Sequence, residues 1–225
     1  MLEVILDTET TGLSITEKHR IVEIGCIELE NQIQTNKIFH EYLNPQRAVS
    51  EDAYKIHGYS DNFLSDKKTF SEIAESFLKF IKDKKIIIHN AAFDISFLNY
   101  EFRLINQKAM NKNNIIDTLE IARGKYPGSQ NSLDALCKRF NIDNSKRERH
   151  NALIDCQLLK EVYINLVDQK EPKLNLVNDE IPDLKFKDNL IKKNNNLRKI
   201  VKPSSAELEL HRNYLKYHLQ KNFYN

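Results

Sequence analysis

Apolar and polar residues follow three regimes along this chain. Val4-Ile5-Leu6 is an unbroken apolar run and predicts a buried strand. Arg20–Leu29 and Ile33–Leu43 mostly alternate apolar with polar, the period of two that strands impose. They pair most simply as an antiparallel hairpin. From residue 69 the period lengthens. Thr69-x-x-Glu72 has the form of a capping box, and Ile73, Phe77, Leu78 and Ile81 follow at helical spacing. Lys85–His89 reads as a short strand, Phe93–Asn106 as a helix and Ile115-Ile116 as another short strand. Helices are expected over 118–125, 132–140 and 152–167. Strands first, then strands alternating with helices, predict an α/β domain built on a mixed sheet covered by helices.

Beyond residue 167 the pattern breaks down. Asp168-Gln169-Lys170-Glu171-Pro172, Ile181-Pro182-Asp183 and Lys192-Lys193-Asn194-Asn195-Asn196 are polar and Pro-punctuated, the composition of a flexible linker. Ser204-x-x-Glu207 then repeats the capping box. The helix it opens has Leu208, Leu215 and Leu219 on one side and Leu210, Tyr214 and Tyr217 nearly opposite. A short helix apolar on two faces is expected to dock into a partner or back onto the domain. The organisation expected is a domain over 1–167, a linker over 168–196 and a tail over 197–225.

Charge sharpens that division. Residues 1–167 carry 22 Lys+Arg against 24 Asp+Glu, net −2, and residues 168–225 carry 12 against 8, net +4. Together these give the +2 of the 225-residue chain, a balance that does not by itself mark a nucleic-acid binder. No apolar run approaches the roughly 18 residues of a membrane span. Met1–Asp7 turns acidic at once, unlike a signal peptide. Cys26, Cys137 and Cys156 are odd in number and far apart, which excludes a zinc ribbon, a CxxC redox site and a disulfide scaffold. A reducing cytoplasm is the expected location.

Candidate chemistry lies in three acidic groups. In Asp7-Thr8-Glu9-Thr10-Thr11-Gly12, Asp7 and Glu9 follow the first strand and project the same way at i and i+2. Side by side they repel, unless a hard cation such as Mg²⁺ or Mn²⁺ sits between them. Strand ends also carry Asp and Thr simply as turn formers. In His89-Asn90-Ala91-Ala92-Phe93-Asp94 a strand runs into a helix start; Asn90 can cap that helix and Asp94 can favour its dipole. In His150-Asn151-Ala152-Leu153-Ile154-Asp155, His150 and Asp155 would point about 140° apart on one straight helix. They converge if His150 lies on the loop and Asn151 is the cap. Each group has a structural explanation alone. Together, four carboxylates can hold two divalent ions, and a neutral His can take a proton from water. The chemistry implied is metal-dependent hydrolysis of a phosphodiester.

This ordered set resembles the DEDD exonuclease superfamily in its His-containing branch. Asp7–Leu13, Ile56-His57-Gly58, His89–Asp94, Asn131–Cys137 and Ile142–Arg147 look, more closely, like the family of epsilon proofreading subunits of bacterial DNA polymerase III. The resemblance covers about residues 3–167 and returns from Leu197 onward. It implies a ribonuclease H-like, mixed five-stranded sheet flanked by helices, with 3′→5′ exonuclease activity. It implies Asp7, Glu9 and Asp155 as direct ligands of two divalent ions, Mg²⁺ or Mn²⁺. Asp94 completes the set, directly or through water, and His150 is the general base. Asp52 and His57 fall where the family meets the terminal nucleotide, although Glu is expected at position 52 and Glu51 is adjacent. Thr10, Gly12, Leu13, Asn90 and Phe93 are expected to contact the substrate end. For His57 a turn before Gly58, and for Phe93 ordinary core packing, are the structural alternatives.

Lys146, Arg147 and Arg149 form a basic run, either a solvated surface or a phosphate contact. The resemblance also implies partners: DNA 3′ ends, the polymerase alpha subunit through 197–225, and a small stabilising subunit. Lys173-Leu174-Asn175-Leu176-Val177 is similar to a sliding-clamp peptide of the form Gln-Leu-x-Leu-Phe, with Lys for Gln and Val for Phe. A free-standing exonuclease acting on RNA or repair intermediates is the alternative within the superfamily. A catalytically dead adaptor is the alternative outside enzymes.

Overall fold

The computed structural model describes residues 1–110, 112–145, 147, 149–167 and 203–218. The linker 168–196, the clamp-like peptide 173–177, Leu197–Val201, Lys146 and Leu219 lie outside the described residues, as does the side chain of Tyr217. The chain divides into two units, Met1–Leu174 and Asn175–Asn225.

The first unit is built on one five-stranded sheet. Strands β1 (Leu2–Thr10), β2 (Ile21–Glu30) and β3 (Ile33–Tyr42) run antiparallel. Asn31 and Gln32 join β2 to β3 with φ of 50° and 66°, the left-handed pair that a tight hairpin turn requires. Strands β4 (Lys85–Ile88) and β5 (Ile115–Asp117) add parallel on the other side of β1, giving the order β3-β2-β1-β4-β5. The mixed sheet expected from the sequence is therefore present.

Seven α-helices belong to this unit among the described residues. They are α1 (Glu51–His57), α2 (Asp61–Leu64), α3 (Phe70–Ile81), α4 (Ala91–Leu104), α5 (Thr118–Lys125), α6 (Leu133–Phe140) and α7 (Ala152–Leu166). The first two were not expected from the pattern. Each is opened by a serine, Ser50 or Ser60, whose hydroxyl accepts a backbone N–H of the first turn.

Alternation along the strands fills both faces. Val4, Leu6, Ile24, Cys26, Ile86 and Ile88 meet Ile73 and Phe77 of α3 and Leu98 and Phe102 of α4. Ile5, Ile27, Leu29 and Ile87 meet Cys156, Leu159 and Tyr163 of α7. A third cluster joins α5, α6 and α7 through Ala122, Leu136, Cys137, Val162 and Leu166. Each Val, Leu, Ile or Phe among them contributes about 1.5–3 kcal/mol by leaving water. All three cysteines are buried and free.

Two local features bring α7 onto the sheet. Gly25 on β2 leaves room for helix backbone: a Cβ there would stand 2.6 Å from the carbonyl carbon of Ala152. The Cys156 thiol lies 3.2 Å from the Gly25 carbonyl oxygen, beneath the same turn. The first turn of α7 is thus pressed against the strand next to β1. In the second unit, α8 (Ser205–His218) opens on the expected capping box: Glu207 accepts from Ser204 N at 2.7 Å, and Ser204 Oγ accepts from Glu207 N at 3.3 Å. Leu208, Leu210 and Tyr214 are exposed on it.

Candidate active site

Strand β1 runs through Thr10, so Asp7 and Glu9 sit inside the strand and not beyond its end. They share the face of Ile5, toward α7, while Thr8 turns to the opposite face. Thr8 Oγ1 donates to Asp94 Oδ1 at 2.6 Å and fixes that acid in the first turn of α4.

Asn90 does not cap α4 with its side chain, contrary to expectation. It lies in the left-handed region at φ 65°, and the helix start is held from elsewhere. Asp117, at the end of β5, accepts the backbone N–H of Asn90 and of Ala91, both at 3.0 Å. The same carboxylate accepts Leu119 N at 2.8 Å and so opens α5 as well.

Asn151 does cap α7, accepting Ile154 N at 3.0 Å. His150 therefore stands on the preceding loop and converges with Asp155. His150 Nδ1 lies 3.6 Å from Asp155 Oδ2 and 3.9 Å from Glu9 Oε1. Ligand atoms of Glu9, His150 and Asp155 all fall within 4.8 Å of one another.

A further acid anchors this corner. Glu23 of β2 is fully buried and accepts from Ala152 N at 3.0 Å, Asn151 Nδ2 at 2.7 Å and Tyr59 Oη at 2.8 Å, with His40 Nε2 at 2.7 Å. It ties the start of α7 to two strands and to the loop after α1. The loop carrying His150 is tied to α1 too, by His150 N donating to Ile56 O at 3.2 Å.

The carboxylates are crowded and largely buried. Burial, then the charges of Asp94, Glu9 and Asp155, push Asp7 well above the usual carboxylate range. Burial and Asp155 raise Glu9 to about 8. Burial raises Asp94 to about 7, against the opposing hydrogen bond from Thr8. Burial also raises Asp155, while the Arg147 guanidinium pulls it back. Burial and Arg147 hold His150 below the usual imidazole range, so it is neutral at neutral pH. A crowded cluster of largely buried carboxylate oxygens suits a hard divalent cation.

One cleft of about 1050 Å³ collects every candidate residue: Asp7, Glu9, Thr10, Gly12, Leu13, Asp52, His57, Asn90, Phe93, Asp94, His150 and Asp155. Leu13 is 80% exposed at its mouth. Thr10 spends its hydroxyl on Gly12 O at 2.7 Å, shaping the turn. Phe93 both lines the cleft and packs on Phe97 at 4.9 Å. Asp52, and not Glu51, lines the cleft; its side chain is almost fully exposed. His57 is the last residue of α1, before the left-handed Gly58. Its Nδ1 accepts from Tyr59 N at 3.0 Å, and its buried Nε2 meets no hydrogen-bond partner of good geometry among the described residues.

The basic run is not a solvated surface at Arg147. Its side chain is only 8% exposed and grips Asp155 through Nε at 2.6 Å and Nη2 at 2.7 Å. Nη1 donates to Asp134 at 2.8 Å and Nη2 to His150 Nδ1 at 2.9 Å. Asp134 lines the cleft as well, and this arginine ties it to Asp155 and His150. Glu23, Asp117, Asp134 and the inward turn of Arg147 were not read from the sequence. An alternating strand with one acid among its inward positions was the sole signal for Glu23.

Comparison with known proteins accords with this geometry. The sequence model of the exonuclease family matches residues 4–163. The DNA polymerase III epsilon subunit of Rickettsia prowazekii is 49% identical over 220 residues, covering 95% of both chains. That of Escherichia coli K12 is 47% identical over 169 residues, 72% of this chain and 70% of that one. In fold, the nuclease domain of 3′hExo, a DEDDh family member bound to rAMP, superposes with a TM-score of 0.66 at 18% identity, over 75% of this chain and 92% of that chain. Divalent metal ions go with this fold. No described helix is long and apolar enough to cross a membrane. The chain belongs to the exonuclease family and, within it, to the epsilon subunits of bacterial DNA polymerase III, the proofreading 3′→5′ exonucleases.

Proposed function

We propose that Asp7, Glu9, Asp94 and Asp155 hold two divalent ions, Mg²⁺ or Mn²⁺, and that His150 is the base that hydrolyses the terminal phosphodiester of a DNA 3′ end. The observation that carries this reading is the convergence, in a single cleft, of four largely buried acids from β1, α4 and α7 and one neutral imidazole from the loop before α7. Bound there, the ions would supply Lewis-acid activation of water and offset the charge on the phosphate oxygens.

His150 then accepts the attacking water's proton at Nδ1, the ring nitrogen that faces Glu9 and Asp155. The water oxygen bonds to phosphorus, the bond to the preceding 3′ oxygen breaks, that oxygen takes a proton from solvent, and a nucleoside monophosphate leaves. Thr10, Gly12, Leu13, Asp52, His57, Asn90 and Phe93 line the path of the terminal nucleotides. In this reading an unpaired end enters the cleft, so mismatched termini react faster because they cost less to fray.

Residues 1–167 form the nuclease domain in this reading. The linker 168–196 keeps it near the polymerase, and 197–225 binds the alpha subunit. The exposed Leu208, Leu210 and Tyr214 of α8 support that role. A small stabilising subunit and a clamp contact through 173–177 complete the proposed partners, all in the cytoplasm.

The test is hydrolysis of a labelled primer, paired against mismatched, with Mg²⁺ or chelator, with and without the polymerase subunit. Metal-dependent release of single nucleotides, faster at the mismatch and raised by the polymerase, is expected. Activity indifferent to the polymerase would point to a free-standing nuclease. Activity that survives the chelator would overturn the metal reading.

A further inference from the structure

We propose that Arg147 is a latch on the catalytic centre, which neither takes up metal at Asp155 nor accepts a proton at His150 until that side chain lets go. The inference rests on the roles given above to Asp155 and His150. Both oxygens of Asp155 are held, at 2.6 and 2.7 Å, in the planar fork that guanidinium and carboxylate form best. The side chain is a buried cation set among acids, the place a metal ion would otherwise fill.

The contact with His150 has a stricter consequence. A guanidinium has only N–H groups and can only donate. Nη2 lies 2.9 Å from Nδ1, so Nδ1 accepts that hydrogen bond. The neutral ring must then carry its proton on Nε2. Nδ1 is the nitrogen nearest Asp155 and Glu9, at 3.6 and 3.9 Å. The one lone pair positioned to take a proton in the centre is therefore occupied by Arg147. Release of the arginine frees the acid for metal and the imidazole for proton transfer in the same motion. Asp134 holds Nη1 at 2.8 Å on the more open side, a post to which the guanidinium can remain tied.

The test is a Mg²⁺ titration of the full chain at fixed pH, followed by NMR of ¹⁵N-labelled arginine and histidine side chains. Without metal, Arg147 Nε–H should exchange slowly, and His150 should show the Nε2–H form. At saturation the Arg147 Nε–H signal should shift and exchange faster as its bond to Asp155 breaks, and His150 Nδ1 should lose its bond. An Arg147 signal unchanged through saturation overturns the latch and leaves a permanent orienting partner. Calorimetry separates the two in the opposite sense. R147M should bind Mg²⁺ on the order of tenfold more tightly if a competitor has been removed. Weaker binding overturns the latch. D155N guards the underlying assignment: if D155N binds Mg²⁺ as the wild type does, or neither binds, the site reading fails and the latch with it.

Discussion

His89-Asn90-Ala91-x-x-Asp94 and His150-Asn151-Ala152-x-x-Asp155 follow the same residue order, yet they are built differently. At the first, Asn90 takes a left-handed backbone at φ 65°, its side chain caps nothing, and Asp117 holds the helix start. At the second, Asn151 is extended at φ −149° and caps with its own side chain, while Glu23 holds the helix start. Both arrangements place an acid four residues on, in the first turn of a helix pinned by an acid from another element. The histidines part company. His89 Nδ1 turns to Thr118 Oγ1 at 2.9 Å, and His150 turns to the acids. The acid's position follows from the anchored helix. The histidine's follows from the backbone conformation of the asparagine after it.

The comparison can be broken at three strengths. Asp94→Ala and Asp155→Ala should be equivalent, each lowering kcat by roughly 10³-fold or more with the fold retained. A single-turnover assay and circular dichroism on both would show this, and an active Asp94→Ala would remove α4 from the centre. The histidines should differ next. His150→Gln should cost about 10²–10⁴-fold and abolish the rise of kcat with pH as the imidazole loses its proton. Because burial lowers the pKa of His150, that rise should lie below the usual imidazole range. His89→Gln should leave the pH profile intact. A shared response of the two variants would erase the distinction drawn here. The asparagines give the smallest effect. Asn151→Gly loses the cap and a bond to buried Glu23 and should destabilise by about 2 kcal/mol. Asn90→Gly suits a left-handed backbone and should change stability by about 0.5 kcal/mol or less. Urea denaturation of both variants decides it.

Much of this was legible because it is local. Asp7 and Glu9 share a face by strand period alone, and the capping boxes at Thr69 and Ser204 announce their helices. The convergence of His150 with Asp155 followed from letting Asn151 be the cap. What escaped depends on distance along the chain or on shortness. Glu23 meets the α7 start across 129 positions, and nothing near either end marks the pairing. Asp117 usurps the cap expected of Asn90 because β5 ends beside β4 in space. Helices of seven and four residues, α1 and α2, are too short to display a period. Arg147 sits in a charged run that composition assigns to water, and only the fold turns it inward.

The contact between Gly25 and the backbone of Ala152 works as a datum surface, in the machinist's sense. Asp155 follows Ala152 by three residues, less than one turn of a rigid rod, so any lift of the rod from the strand reaches the carboxylate undiminished. With backbone against backbone, no side chain is there to flex and absorb the error. A single added methyl on the sheet, outside the cleft and in contact with no substrate, would present itself as a catalytic defect.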